Sequence, residues 1–404
     1  MTKTQERRRI IIKIVLAVAA LAIAVIAITN GVNSLIKKNP GYYSIETDPA
    51  EDAMLYANGI DLSYYMDGTS SEIRVKLMEI KKDYGSSLLH IYKLLDADNL
   101  YEGYNNIAYI NQHMGEEVEV SPELFEVLES AYQLTLDGEF NLFGGALYNE
   151  WESITVLEDQ SESDPLLNSD EAERIKAIAE KCADINNFVF EIVDPAGHVV
   201  RFDVSDSYKR HMEGYELDNS ILNLGYLTDA YKIGYIAKKL EEKGWTRGLL
   251  TADIGMSLAL SGEKEGNFIA YSLYGNTPAQ AFGVGITPGA AYCSYRSFGF
   301  EGEAQYYVID GTRRHPHYAL YSGELTDGIL TSAAVSYSGD LVRACVNAYR
   351  LISGETAESV MNGAGSDILL AYITKTEPST VIVDSAHKEL IIIDEASGFT
   401  CSAY

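Results

Sequence analysis

Nineteen residues, Ile10 to Ile28, run apolar with Lys13 as their one interruption, and Arg7, Arg8 and Arg9 stand directly before them. As a helix such a run spans about 28 Å, close to the hydrocarbon thickness of a bilayer. Lys13 is near enough to one end to snorkel, and the arginines favour the cytoplasmic side. The sequence therefore predicts a basic cytoplasmic segment at 1–9, a transmembrane anchor at 10–36, a linker at 37–43 and an exported domain over 44–404. The expected location is the cell membrane, single-pass, with the body extracytoplasmic. A cleaved signal peptide is the alternative, because Ala22, Ala24 and Ala27 offer small residues for a cleavage site. A lipoprotein signal is not, because the first cysteine after the run is Cys182.

The charge is divided as sharply as the hydropathy. Beyond residue 38 the chain carries 24 Lys/Arg against 58 Asp/Glu, a formal charge of −34. A body of that sign repels phosphate backbones and anionic lipid, so nucleic-acid binding and a peripheral basic membrane patch are both poor readings. An anionic ligand would need a local pocket. The four cysteines (Cys182, Cys293, Cys345, Cys401) have neither zinc nor redox spacing and read as buried or free thiols.

Within the exported part, helical periodicity is predicted at 70–83, 121–136, 172–185, 229–243 and 340–352. The second of these opens on Ser121-Pro122-Glu123, an N-cap followed by proline at the first helical position. Strands are predicted at 188–193 and 198–204, joined by the hairpin signal Asp194-Pro195-Ala196-Gly197, and at 221–224, 249–252, 335–337, 368–374, 380–384 and 389–393. Residues 152–172 are acidic and polar and predict an exposed insertion or the start of a second lobe. Helices and strands alternate irregularly, and no glycine-rich dinucleotide fingerprint follows a strand. The predicted fold class is α+β (mixed α/β), two interleaved lobes preceded by the one transmembrane helix.

Several short blocks stand in a recognisable order: Ile110-Asn111; Val118 to Leu124; Leu136-Asp137-Gly138-Glu139-Phe140-Asn141-Leu142-Phe143-Gly144-Gly145-Ala146-Leu147 with Trp151; Leu224-Gly225-Tyr226-Leu227-Thr228-Asp229-Ala230-Tyr231; Gly289 to Ser294; His315-Pro316-His317 with Gly323; and Asp340 with Ala344. Their order and spacing resemble the FAD:protein FMN transferase (ApbE-like) family. The resemblance implies a two-lobed flavin-transferase fold and transfer of FMN from FAD to a Thr or Ser hydroxyl of an extracytoplasmic protein, with Mg²⁺ required and AMP released. Carried over by position, it implies a catalytic role for His315 or His317. It also implies FAD contacts at Asn111, Phe140, Gly144, Gly225, Thr228, Asp229, Gly255 and Ser294, and Mg²⁺ on Asp340 and the Thr228 carbonyl. The implied partners are FAD, the membrane and an acceptor protein with a D-x-x-S/T-G-A-S/T-like motif.

The chain also departs from that pattern. Asp229 stands where the family has lysine, Tyr226 where it has a second glycine, Ala344 where it has a metal-binding threonine and Ala319 where it has an aspartate. Pro316 takes the register of the family's histidine, and Gly255-Met256-Ser257 replaces Gly-Gly-Asp. These substitutions keep a second reading open, a membrane-anchored, non-catalytic flavin- or nucleotide-binding or scaffold protein. Finally, Asp394-Glu395-Ala396-Ser397-Gly398-Phe399-Thr400 resembles the acceptor motif itself, which makes Thr400 a candidate for flavinylation, with a plain C-terminal turn as the alternative.

Overall fold

A nine-stranded sheet organises the computed structural model, which describes residues 38–47, 59–157, 159–215, 220–253, 255–300, 306–309 and 312–404. The expected anchor at 10–36 lies outside the described residues, and among those described no helix is long and apolar enough to cross a membrane. The strands lie in the order Gly41–Ile45, Ile60–Met66, Gly248–Ala252, Met256–Ala259, Ala291–Arg296, Ile329–Ser336, Ile368–Thr374, Thr380–Val383 and Thr400–Ala403. Neighbours pair antiparallel except the last two, which are parallel. Along 368–374 the side chains divide by parity. Ile368, Leu370 and Tyr372 enter one core, and Leu369, Ala371 and Ile373 enter the other. A strand buried on both faces reads as an unbroken apolar run, which is what the sequence shows there.

Between the second and third strands of this sheet the chain makes a long excursion. It begins with the 26-residue helix Ser70–Leu95, which opens on a capping box: the Thr69 hydroxyl accepts from the Glu72 N–H, and the Glu72 carboxylate accepts from the Thr69 N–H at 2.7 Å. The helix outlasts the predicted 70–83 because Tyr84, Leu88, Ile91 and Leu95 continue the buried stripe. Helices Pro122–Leu136 and Ser169–Ala183 follow, with a small sheet ordered Glu117–Glu119, Val199–Val204, Phe188–Asp194. The excursion closes with helix Thr228–Glu242 and returns to the large sheet at Gly248. The mixed α+β class predicted from the sequence describes this architecture.

Two local expectations need correction. Residues 221–224 form no strand; they are a buried connection into a 3₁₀ turn at Gly225–Leu227, held by Asn111, whose amide donates to the Leu222 carbonyl (3.0 Å) and accepts from its N–H (2.9 Å). Residues 389–393 reduce to a 3₁₀ turn and the two-residue strand Ile391–Ile392. The acidic stretch after helix Gly145–Thr155 is also fastened to the body. Asp164 is fully buried and pairs with Arg314 at 2.6 Å, and Arg174 spans Glu150 and Glu171.

Candidate functional site

A cleft of about 460 Å³ opens between the turn that follows the long helix, helix 145–155, the amino end of helix 228–242 and the strand that carries Tyr295. Its size is that of a small-molecule site. Aromatic rings dominate the wall: Tyr92, Tyr148, Trp151, Tyr226, Tyr295, Tyr306, Tyr318 and Tyr349 all contribute. Tyr226 lies flat on Tyr349, with ring centroids 3.7 Å apart and planes 2° from parallel, and Tyr295 stands edge-on to both. Burial pushes the phenols of Tyr226, Tyr295 and Tyr318 well above their ordinary range, so all three remain hydrogen-bond donors at neutral pH. The hydroxyls of Tyr226 and Tyr318 are buried without a hydrogen-bond partner in the protein. That of Tyr295 faces the Cys293 and Cys345 thiols, which are weak partners.

Glycine makes this wall buildable at two points. Gly225 has φ +48°, and a Cβ there would come within 2.4 Å of the Tyr148 ring. Gly145 packs so closely under the entering chain that a Cβ would sit 1.7 Å from the Ser220 carbonyl oxygen. Gly225 also starts the turn into helix 228–242, where the Thr228 hydroxyl donates to the Gly225 carbonyl at 2.8 Å. Asp229 and Lys232 then point from one helical face into the cleft, 3.2 Å apart, with the Lys232 ammonium over the Tyr92 ring. Asp229 stands where the resembled family has lysine, and the cleft's own cation, Lys232, lies one turn later, on a residue that sequence reasoning passed over. The i, i+3 spacing from Asp229 was its signal.

His317 lines the cleft, while His315 lies behind it; both are buried, which excludes an exposed basic turn. The His315 Nε2–H donates to the Thr326 carbonyl (2.7 Å), and its Nδ1 accepts from the His317 backbone N–H (3.2 Å). The His317 Nε2–H donates to the Arg296 carbonyl (2.9 Å). Burial pushes His315 down to about 4, and burial with the neighbouring His315 pushes His317 well below its ordinary value. Both rings are therefore neutral at pH 7, with Nδ1 the acceptor on His317.

The remaining sequence candidates divide. Gly225, Thr228, Asp229 and His317 converge on the cleft. Asn111 and Phe140 support it from behind, Asn111 through the 222 connection and Phe140 edge-on to Tyr226; Gly144 abuts Tyr148. Gly255 and Ser294 do not border it. Gly255, at φ +90°, accepts at its carbonyl from the Ser294 N–H (3.1 Å) in a turn too tight for a Cβ. Asp340 borders a second groove of about 490 Å³ on the other side of helix 228–242. There its carboxylate caps helix Leu341–Ile352, accepting from the Arg343 N–H at 2.8 Å. Thr400 is exposed on the edge strand of the large sheet, after a turn in which the Asp394 carboxylate accepts from the Ala396 N–H at 2.9 Å.

The donors for Mg²⁺ do not assemble. Asp340 caps its helix through one carboxylate oxygen, Ala344 has no side-chain ligand atom, Asp229 is paired with Lys232, and the described residues hold no cluster of three metal-ligating side chains. Side chains alone do not complete a Mg²⁺ site here; it would need backbone and substrate oxygens as well.

Neither a protein-family model nor a curated protein matches the chain. Solved structures do. The fold is similar to that of the ApbE protein of Thermotoga maritima, at TM-score 0.57 and 13% identity over 87% of this chain and 99% of that one. It is similar to the flavin transferase ApbE of Vibrio cholerae, at 0.56 and 13% over 88% and 100%. A third similar fold is the apo flavinyl transferase ApbE of Pseudomonas stutzeri, at 0.55 and 15% over 88% and 98%. At such identities the likeness establishes a shared fold.

Proposed function

We propose that this protein binds a flavin in the tyrosine-lined cleft of a flavin-transferase fold. The observation that carries the reading is the aromatic wall of the cleft, in which Tyr226 is stacked on Tyr349 and Tyr295 stands edge-on to both. An isoalloxazine ring is a flat aromatic surface of the kind such a wall takes. The likeness to proteins described as flavin transferases supports the same chemistry. The apolar run behind Arg7–Arg9 supports a chain anchored in the cell membrane with this cleft outside the cytoplasm.

Trp151 lines the cleft, which gives the test its readout. Titrating flavin into the full-length protein in detergent, in a Trp245→Phe background that leaves Trp151 as the one tryptophan, should quench the emission saturably, and Tyr226→Leu should weaken binding roughly tenfold by removing the stacked face. Emission that stays unquenched up to millimolar flavin would sink the reading.

Transfer of FMN from FAD to a Thr or Ser of an acceptor protein is the second reading, favoured by Thr228, Asp229 and His317 meeting in one cleft. It is distinguished by incubating the protein with FAD, Mg²⁺ and a peptide bearing the D-x-x-S-G-A-T motif. A peptide gaining the mass of FMN less one water, with AMP released, would establish it. An unmodified peptide, where an authentic transferase labels it, leaves the chain a flavin binder. The same mass measurement on the C-terminal peptide tests Thr400 as an acceptor.

A further inference from the structure

We infer that the cleft selects an uncharged flavin, riboflavin, over the phosphorylated flavins FMN and FAD, with Asp229 setting the selection. This rests on the flavin reading above and deepens it to a ligand class.

The selection follows from the charges on the wall. Among the described residues, the ionised side chains lining the cleft are Asp96, Asp98, Asp229 and Lys232. Asp229 holds the one ammonium at 3.2 Å, so two carboxylates stand without a cation on the wall to offset them. The amino end of helix 228–242 attracts an anion, and Asp229 in its first turn counters it. His317 is neutral and adds no charge. The body, at −34 beyond residue 38, provides no long-range attraction for a phosphate either.

The same wall suits a neutral polyol. Hydroxyls along a ribityl chain donate hydrogen bonds, and carboxylates are the strongest neutral-pH acceptors for them. Asp96 and Asp98 flank the cleft at the turn after the long helix. Asp98 accepts from the Ser220 hydroxyl and keeps acceptor sites for a ligand, whereas the Asp96 carboxylate is filled by the Asp98 and Asn99 N–H groups, the Asn99 amide and the Tyr101 hydroxyl and contributes its charge alone. The aromatic face takes the ring, and the acidic rim takes the tail where an FMN phosphate would meet like charge.

The experiment titrates riboflavin, FMN and FAD separately into the full-length protein at pH 7.5, low salt and with EDTA. Riboflavin is expected to bind tightest and FMN roughly tenfold more weakly, the size of effect two like charges about 10 Å apart produce near a protein surface. Raising NaCl to 0.5 M should narrow the ratio, because the penalty is screened, and Asp229→Asn should narrow it at low salt. FMN or FAD binding as tightly as riboflavin in EDTA overturns the inference and leaves the flavin reading standing. If no flavin binds, both fall. Should Asp229→Asn fail to fold, the salt series on the unaltered protein decides.

Discussion

At the scale of single residues, the two histidines carry the clearest consequence. A histidine kept neutral by burial binds fewer protons folded than unfolded, so the folded state is favoured fully above the unfolded value near 6.5. That advantage disappears as pH falls toward the folded value, which for His315 is about 4. The protein should therefore lose stability on acidification through the window from 6.5 to 4, by on the order of 2–3 kcal/mol for His315 alone. Urea midpoints measured across that window check it. His315→Gln, which has no proton to gain, should flatten the slope, and an equally steep slope in the variant would exclude His315 as its source. The same neutrality bears on chemistry: a base this far below its usual range takes a proton poorly, which suits His317 to hydrogen-bonding a ligand through Nδ1.

At the scale of elements, helix capping separates the roles of two aspartates that sequence reasoning had placed in one site. Asp340 ends as the cap of helix 341–352, on the far side of helix 228–242 from the tyrosine cleft. Asp340→Ala should cost about 1 kcal/mol of stability, typical of a lost N-cap, and leave flavin affinity within twofold. Thermal melts and the Trp151 titration measure the two quantities on one sample. A large loss of affinity would return Asp340 to the ligand site. Capping made one helix readable in advance, through Ser121 with Pro122, whereas the capping box of Thr69 with Glu72 and the Asp340 cap emerged only in the structure and their helices were read from periodicity. The connection at 221–224 misled because its apolar residues are buried against other elements while its backbone follows a turn, and a short apolar run carries no period to tell the two apart. The Met256–Ala259 strand was masked by the tight turn at Gly255, and the hairpin of Asn267–Tyr274 with Thr277–Gly285 went unread despite Gly275-Asn276 at its turn.

At the scale of the whole molecule, the cleft is a product of tertiary closure, which is why its wall was the least legible part. Gly225, Thr228 and Asp229 are neighbours in one motif and could be read together, but the tyrosines come from helices, a strand and loops more than 250 positions apart, between Tyr92 and Tyr349. Closure also depends on the acidic segment after helix 145–155, which composition alone portrayed as an exposed insertion or the start of a second lobe. Asp164 in that segment is fully buried against Arg314, one residue before the His315-Pro316-His317 run that forms one side of the cleft. Its other carboxylate oxygen accepts from the Leu166 N–H at 2.7 Å, so the pair orders the segment as well as attaching it. Removing one side of a buried ion pair costs roughly 3–5 kcal/mol, whereas replacing both partners with apolar residues of similar size is often close to neutral. Asp164→Ala should therefore lower the urea midpoint sharply, expose residues 156–168 to limited proteolysis and weaken flavin binding together. The double replacement Asp164→Leu with Arg314→Met should recover most of the stability. If Asp164→Ala melts within 0.5 kcal/mol of the parent, about the effect of an ordinary surface substitution, the segment is held by its other contacts, and the cleft's histidine side does not depend on it.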